Sequence, residues 1–207
     1  PLQSIIGSAE LLENGLVKPE DQPRFLSRIH QEADRLVALI NDILSLSQLD
    51  EGGALPHEQV SVLELAQEAA RSLTAQAAAQ AVHISVTGTV GTVFGVRRLL
   101  YEIARNLCEN AVKYNVPGGS VTVEVAETDR DVALLVRDTG IGIPEGDQSR
   151  VFERFYRADA SRGEKSGFGL GLAIADTIAW EHKGALKAES DAASTRFTFT
   201  IPLRKQA

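Results

Sequence analysis

The chain of 207 residues is mildly acidic and ordinary in composition, with 21 Lys and Arg residues against 28 Asp and Glu residues, a net charge of −7 and 43% hydrophobic residues. These values exclude collagen-like, disordered and membrane-spanning proteins. They also disfavour general binding to nucleic acid or anionic lipid, because both require clustered Lys and Arg residues. The single cysteine, Cys108, cannot form an internal disulfide.

Two apolar stripes at the start of the chain predict a helical hairpin. The first covers residues 2–12 and ends at residues 14–15, and the second covers residues 21–49 and ends at residues 52–53. The second helix would be roughly 43 Å long at 1.5 Å per residue. Because two such helices bury too little of each other's stripe, we predict that residues 1–51 form a homodimer, a four-helix bundle across a twofold axis.

From residue 54 onward the pattern changes to alternating strand and helix signals. A turn at residues 129–131 joins two Val-rich strands, which predicts an antiparallel hairpin. Helices packed on a mainly antiparallel mixed sheet make residues 54–207 an α+β fold, a two-layer α/β sandwich. The predicted helices are 62–81, 96–114 and 169–182, and the predicted strands are 58–61, 82–87, 121–125, 132–136, 185–190 and 196–202.

Two asparagines, Asn106 and Asn110, stand four residues apart in the predicted helix 96–114 and therefore share one face. Mg²⁺ is a hard cation that takes amide carbonyl oxygens as ligands while it keeps water and phosphate oxygens. Lys113 follows three residues later and suits phosphate. The group indicates a Mg²⁺ and phosphate site, although the two amides taken alone are also explained by hydrogen bonds to neighbouring backbone.

An acidic turn, DTGIGIP at residues 138–144, follows the predicted strand 132–136. Glycines let the backbone pass close to a flat ring, and an ionised carboxylate at the floor of a pocket can accept a hydrogen bond from an exocyclic amine. Adenine has such an amine at position six, whereas guanine has a carbonyl there that a carboxylate would repel. The turn therefore indicates an adenine site, with a plain turn as the alternative.

A glycine-rich segment, GFGLGL at residues 167–172, opens the last predicted helix. Backbone N–H groups at a helix start, with no Cβ in the way, bind phosphate. The segment follows no predicted strand and lacks the acidic residue of a dinucleotide-binding turn, which argues against a Rossmann fold.

In this order within one domain, the motifs resemble those of the sensor histidine kinases, whose catalytic domain belongs to the ATPase group shared with gyrase and the heat-shock chaperone of the ninety-kilodalton class. Four segments are similar to that family's N, G1, F and G2 boxes: NLCENAVKY from Asn106, DTGIGIP from Asp138, VFERFYR from Val151 and GFGLGLAI from Gly167. The hairpin of residues 1–51 is similar to the family's dimerisation and histidine-phosphotransfer domain.

The resemblance implies a site for ATP and Mg²⁺. Asn110 would bind Mg²⁺ with support from Asn106, Lys113 would reach the phosphates, and Tyr114 would line the pocket. Asp138 would accept a hydrogen bond from the adenine amine. The other residues that the resemblance assigns to nucleotide binding are Gly140, Gly142, Ile143, Arg157, Gly167, Gly169, Leu170, Gly171, Leu172 and Thr195.

The stretch between residues 143 and 167 would form a mobile lid, since its Gly, Asp, Ser and Arg content offers little apolar area to hold it. By the same resemblance, Phe152 and Phe155 would be its packing anchors. Arg157 would contact the γ-phosphate.

The family's phosphoacceptor is a His followed by an acidic residue and then by Thr-Pro or Asn-Pro. Because the chain begins with Pro1-Leu2 and contains no Met, we expect a fragment whose acceptor His lies five residues upstream of Pro1. The chain's own histidines lack that context; they are His30, His57, His83 and His182. No catalytic residue is therefore predicted beyond Lys113 and Arg157 as candidates for stabilising phosphate, and the chain should bind ATP without phosphorylating itself.

The resemblance thus implies the core of an ATP-dependent protein-histidine kinase, which transfers the γ-phosphoryl group to a His and then to an Asp in a response-regulator receiver domain. Such a core would be cytoplasmic and bacterial, with a membrane anchor only in segments outside this chain. One alternative is a catalytically silent, dimeric adaptor that binds ATP and a response regulator. A chaperone-type or gyrase-type ATPase is disfavoured, because Asn106 stands where those proteins have a Glu that activates water.

Overall fold

The computed structural model describes residues 2–50, 55–158, 168–191 and 193–203. The chain divides into two compact units at residues 51–52. Within the described ranges, no helix combines the length and the apolar character needed to cross a membrane.

The first unit is a pair of packed helices, α1 (Leu2–Glu13) and α2 (Gln22–Asp50). Between them Gly15 has a φ of +66°, a left-handed conformation that glycine adopts readily. These elements confirm the helical hairpin predicted from the apolar stripes, whereas the predicted stop at residues 52–53 lies outside the described residues. Large apolar side chains of α2 remain exposed on this single chain, namely Leu26, Val37, Ile40, Ile43 and Leu44.

The second unit is built on a five-stranded sheet with the strand order β2-β4-β5-β7-β6. Its neighbouring strands are antiparallel except β2 and β4, which are parallel, so the predicted mainly antiparallel mixed sheet is confirmed. The strands of this sheet are β2 (His83–Gly88), β4 (Ser120–Glu127), β5 (Asp131–Asp138), β6 (Ala185–Ser190) and β7 (Thr195–Pro202).

Helices α3 (Val62–Ser72), α5 (Arg97–Lys113) and α6 (Gly171–Glu181) pack on this sheet. Along β4 the valines are buried and the residues between them face outward, as the alternation of a half-covered strand requires. In α5 the buried residues recur at three- and four-residue steps: Leu99, Leu100, Ile103, Ala104, Leu107, Cys108, Ala111 and Val112. The core therefore lies between the sheet and the helices, as expected for a two-layer sandwich.

The structure departs from the predicted elements at two places. The single helix predicted for 62–81 is wrong, because the chain breaks at Leu73 between α3 and α4 (Thr74–Ala79). The flanking Ser72 and Thr74 hydroxyls each donate to the carbonyl three residues back, at 2.8 and 2.9 Å, in competition with the helical backbone bonds. Strand β3 (Thr92–Gly95) was not predicted and pairs antiparallel with β1 (Glu58–Ser61).

Candidate functional site

The two asparagines of α5 lie at the edge of its buried face. Asn106 and Asn110 are half-buried and sit next to Leu107 and Ala111, which belong to the core. Among the described residues, no hydrogen bond joins either amide side chain to the protein. The amides therefore do not tie down the neighbouring backbone, and their oxygens are available to a ligand.

The start of α6 lies directly against Asn106. A Cβ added to Gly171, the first residue of α6, would be only 3.2 Å from Oδ1 of Asn106, so the glycine permits this approach. Leu170 caps the helix and is buried, so its backbone rather than its side chain could face a ligand. Leu172 is half-buried, and Gly167 lies outside the described residues.

Gly169 fastens the start of α6 to the F-box segment. It has a φ of +71°, a Cβ there would overlap the carbonyl oxygen of Tyr156, and its own carbonyl accepts the N–H of Phe155 at 3.0 Å. Phe155 also has a positive φ, +65°, and its side chain is 63% exposed. The prediction that Phe155 is a packing anchor is therefore wrong: the backbone makes the attachment while the ring points outward. Phe152 is half-buried.

Asp138, the last residue of β5, is a buried carboxylic acid with 4% exposure. Its Oδ1 accepts the N–H of Gly140 at 2.8 Å. Burial raises the pKa of Asp138 to about 6, and the Gly140 hydrogen bond opposes that rise. Gly142, at a φ of +71°, passes so close to the carbonyl of Asp191 that a Cβ would overlap it. A donor from a ligand would stabilise the ionised carboxylate in this dry position.

The loop after Asp138 packs on the end of α5. The carbonyl of Tyr114, the C-cap residue, accepts the N–H of Ile141 at 3.1 Å, and a Cβ on Gly140 would overlap the same oxygen. The N–H of Tyr114 in turn donates to the carbonyl of Asn110 at 3.0 Å. The acidic turn and the asparagine pair are thus joined through the last two turns of one helix, a length of roughly 12 Å.

Thr195, the first residue of β7, stands opposite Asp138 in the antiparallel register and is buried. Its Oγ1 lies 3.0 Å from Oγ of Ser190, the last residue of β6. The same Ser190 oxygen accepts the N–H of Ile143 at 2.8 Å. The acidic turn is therefore held both by the end of α5 and by the turn between β6 and β7.

The two cations predicted to stabilise phosphate lie on different segments. Lys113 ends α5, and its amino group is 4.9 Å from the centre of the Tyr114 ring. Arg157 is exposed and follows Phe155 by two residues, on the segment attached to Gly169.

Three neighbouring polar residues, Asn115, Gln148 and Ser190, were not predicted from the sequence. Asn115 is buried and hydrogen-bonded to residues on both sides of the turn before β4. Gln148 donates through Nε2 to the carbonyls of Ile143 and Ser190, at 3.2 and 2.8 Å. Ser190 itself carried no motif, because its partners come from segments distant in sequence. Only Asn115 had a local signal, since Asn after a helix end is typical of a turn.

The ranges that the structure describes contain no group of three or more His, Cys, Asp or Glu side chains that could hold a metal ion. The protein oxygens suited to a hard cation at this site are those of the Asn106 and Asn110 amides.

Comparison with known families assigns both parts of the chain. Residues 95–205 match the histidine kinase-, DNA gyrase B- and HSP90-like ATPase family, and residues 1–52 match the His Kinase A (phospho-acceptor) domain. The probable sensor histidine kinase TcrY of Mycobacterium tuberculosis is 33% identical over 98% of this chain and 43% of its own length. The chain belongs to the sensor histidine kinase family. Its ATPase-type domain supports ATP binding, and the adaptor alternative has no support among these relatives.

Solved structures agree with the fold. The full-length histidine kinase ShkA in complex with AMPPNP is similar over all of this chain and 44% of its own, with a TM-score of 0.77 and 27% identity. The histidine kinase ThkA in complex with the response regulator protein TrrA is similar over 99% of this chain and 58% of its own, with a TM-score of 0.78 and 21% identity. The chain spans between 28% and 54% of the length of the first curated relatives that it matches.

Proposed function

We propose that the chain is the core of an ATP-dependent protein-histidine kinase of a two-component signalling system. It binds ATP and Mg²⁺ and transfers the γ-phosphoryl group to a His, from which it passes to an Asp of a response regulator. The observation that carries the proposal is the pair of half-buried amides, Asn106 and Asn110. They have no hydrogen bond to the described part of the protein, and they lie between the start of α6 and the acidic turn.

In this proposal Asp138 recognises the adenine. Its buried carboxylate has one oxygen bonded to Gly140 and can accept from the six-amino group with the other. A carbonyl at position six of the purine would face the Asp138 carboxylate, so that two hydrogen-bond acceptors would lie together in a buried position. This arrangement would weaken binding. Gly140 and Gly142 let the turn pack closely against the carbonyls of Tyr114 and Asp191, where a Cβ would overlap them, and this packing fixes the position of the Asp138 carboxylate. Tyr114 would line the pocket beside the turn.

The phosphates would be held at the other end of the site. Mg²⁺, when bound, neutralises triphosphate charge. The amide oxygens of Asn110 and Asn106 supply the protein ligands of that cation, and Lys113 and Arg157 add positive charge beside it. The N–H groups at the start of α6 favour an anion, because the helix dipole points its positive end there. Catalysis then consists mainly of positioning and charge neutralisation.

Phosphoryl transfer is favoured over hydrolysis by the identity of Asn106. By resemblance, the hydrolysing relatives have a Glu at this place that activates water, whereas a neutral amide is not a base. The proposed acceptor is a His of the phospho-acceptor domain to which residues 1–52 are similar. The exposed apolar side chains of α2 support a homodimer that presents this His. A receiver domain is the proposed partner, and the core would work in the bacterial cytoplasm with any membrane anchor elsewhere in the protein.

Replacing Asn110 by Ala tests the nucleotide site. In Mg²⁺ the affinity of the 207-residue chain for ATP should fall about 30-fold, about 2 kcal/mol, because a ligand of the cation is lost. In EDTA the wild type and the variant should bind ATP within about twofold of each other. Isothermal titration calorimetry measures both values.

Glu109→Gln is the matched control for this variant, because Glu109 is the adjacent residue and its carboxylate pairs with Arg105 at 3.3 Å on the outer side of α5. Loss of that partly exposed pair should change ATP affinity by less than about twofold. An equal loss of affinity for Asn110→Ala with and without Mg²⁺ would contradict the metal assignment.

The transfer step needs the native chain extended upstream of Pro1. Incubated with ATP and Mg²⁺, it should acquire phosphate that is labile in acid and stable in alkali, and replacement of the upstream His by Ala should abolish the label. Rapid turnover of ATP by the 207-residue chain with no acceptor present would instead indicate a hydrolase.

A further inference from the structure

A hydrogen-bonded hydroxyl pair lies beside the proposed adenine position. Oγ of Ser190 accepts the N–H of Ile143 at 2.8 Å. The same atom lies 2.8 Å from the carbonyl oxygen of Ser194, 3.3 Å from that of Asp191 and 3.0 Å from Oγ1 of Thr195. The Ser190 hydroxyl thus has three hydrogen-bonding partners within 3.0 Å, and the Asp191 carbonyl is a fourth, more distant contact.

The single proton of the Ser190 hydroxyl decides the direction of these bonds. A carbonyl oxygen cannot donate, so the 2.8 Å contact with Ser194 requires the proton of Ser190. The contact between the two hydroxyls must then use the proton of Thr195. Thr195 therefore donates to Ser190, and the remaining lone pairs of its Oγ1 can only accept.

Thr195 presents these lone pairs next to Asp138. The two residues are directly opposite in the β5–β7 register and both are buried, so their Cβ atoms are within about 5 Å. Oδ1 of Asp138 is bonded to Gly140, and Oδ2 has no hydrogen-bond partner among the described residues. Two acceptors, a carboxylate oxygen and a hydroxyl oxygen, thus stand side by side.

We propose that Ser190 is a positioning residue that fixes Thr195 as a hydrogen-bond acceptor and so makes the site selective for six-aminopurine over six-oxopurine nucleotides. This inference rests on the proposed function, in which the site binds ATP through Asp138. Gln148 holds Ser190 in place, because its Nε2 donates to the carbonyl of Ser190 at 2.8 Å and to that of Ile143 at 3.2 Å.

Ser190→Ala removes the acceptor that orients Thr195. The freed threonine hydroxyl can then rotate and donate to a six-carbonyl, which the wild-type arrangement forbids. Inosine triphosphate is the suitable probe, because it replaces the six-amino group of ATP by a carbonyl. The ratio of its dissociation constant to that of ATP should fall about three- to tenfold in Ser190→Ala, measured by calorimetry in Mg²⁺.

Two further variants separate this role from a structural one. In Thr195→Val, which keeps the side-chain shape and lacks the hydroxyl, the ratio should fall similarly, and adding Ser190→Ala should change it by less than about twofold. Ser190→Thr, which retains a hydroxyl, should restore most of the selectivity. A purely structural Ser190 would weaken both nucleotides equally and leave the ratio unchanged, which would overturn the proposal.

The outcomes also distinguish this inference from the proposed function. If the wild-type chain fails to bind ATP, both are overturned. If the wild type binds ATP and prefers it to inosine triphosphate, but Ser190→Ala leaves the ratio unchanged, only the role of Ser190 is overturned. Should Ser190→Ala fail to fold, as judged by circular dichroism, Thr195→Val decides alone, since an unchanged ratio in that variant contradicts an acceptor at Thr195.

Discussion

The asparagines near the end of α5 fall into two groups, which differ in whether the protein supplies hydrogen bonds to the side-chain amide. Asn115 is buried, and its Nδ2 donates to the carbonyls of Ala111 and Ser120 at 3.1 and 3.0 Å. Its Oδ1 accepts the N–H of Val116 at 2.9 Å and the hydroxyl of Thr139 at 3.3 Å. One side chain thus joins the end of α5, the start of β4 and the residue after β5.

One and two turns earlier, Asn110 and Asn106 are half-buried and make no side-chain hydrogen bond within the described ranges. Their amide atoms are accessible, so water or a ligand can complete them. The same residue type therefore stabilises the fold at one position and leaves its amide open to solvent or a ligand at the other. Hydrogen bonding, rather than residue identity, separates the two roles.

The largest expected effect is the loss of stability on replacing Asn115, the asparagine whose side chain is fully hydrogen-bonded within the protein. Asn115→Ala should lower the free energy of unfolding by about 4 kcal/mol, because the four hydrogen bonds of this side chain are lost at about 1 kcal/mol each. Urea denaturation of the 207-residue chain measures this change. Asn106→Ala is the control and should cost less than about 0.5 kcal/mol. Similar losses in the two variants would show that the two groups do not differ in this way.

Asp138 combines the two situations in one side chain. One of its carboxylate oxygens is bonded to Gly140, and the other has no hydrogen-bond partner among the residues described. Burial raises its pKa from 3.8 to about 6. The folded protein therefore holds this proton more tightly than the unfolded chain. The resulting stabilisation is fully present below pH 3.8 and is lost as the pH rises through about 6.

Asp138→Asn should remove this part of the pH dependence, because the amide does not ionise. Above pH 6 the ligand-free variant should be more stable than the wild type, by up to about 3 kcal/mol. Its affinity for ATP should fall about tenfold, since a charged acceptor is replaced by a neutral one. Urea unfolding between pH 4 and 8 gives the first result and calorimetry the second. Parallel stability curves for the two proteins would refute the cost assigned to the buried charge.

The sequence was sufficient for the parts of the fold that rest on local periodicity. The apolar stripes of α1 and α2 follow the helical period, and the alternation in β4 and β5 follows the period of a strand with one buried face, so these elements could be predicted. Strand β3 could not, since four residues between Gly91 and the N-cap of α5 form a strand only by pairing with β1, more than 30 residues earlier. The helix break at Leu73 depends on two hydroxyls whose choice of partner is not visible in the sequence.

The residues of the site also divide into those that local sequence could predict and those that depend on distant contacts. The tight turns at Gly142 and Gly169 could be predicted, because they depend on local sequence, whereas the nucleotide-binding role of these residues and of Asp138 stays a prediction. Ser190 could not be predicted, because its partner Ile143 lies on a segment that only the sheet register brings near. Asn115 bonds mostly to residues within five positions along the chain, so its place after a helix end was a usable local signal. Phe155 was misjudged because its positive φ, which turns the ring outward, depends on the bond to Gly169.

The smallest expected effect tests the contact between the unsatisfied amide and α6. Gly171→Ala improves helix propensity by up to about 1 kcal/mol, but its Cβ would lie 3.2 Å from Oδ1 of Asn106. Since that amide has no hydrogen bond to the described protein, it can shift by a few tenths of an ångström, and stability should change by less than about 1 kcal/mol.

The displaced amide should nevertheless lower ATP affinity in Mg²⁺ about threefold, as measured by calorimetry. In an Asn106→Ala background, Gly171→Ala should have no further effect on binding, because the group that it displaces is gone. A loss of stability above about 2 kcal/mol would mean that Asn106 is held rigidly, like Asn115, and would remove the distinction between the two groups.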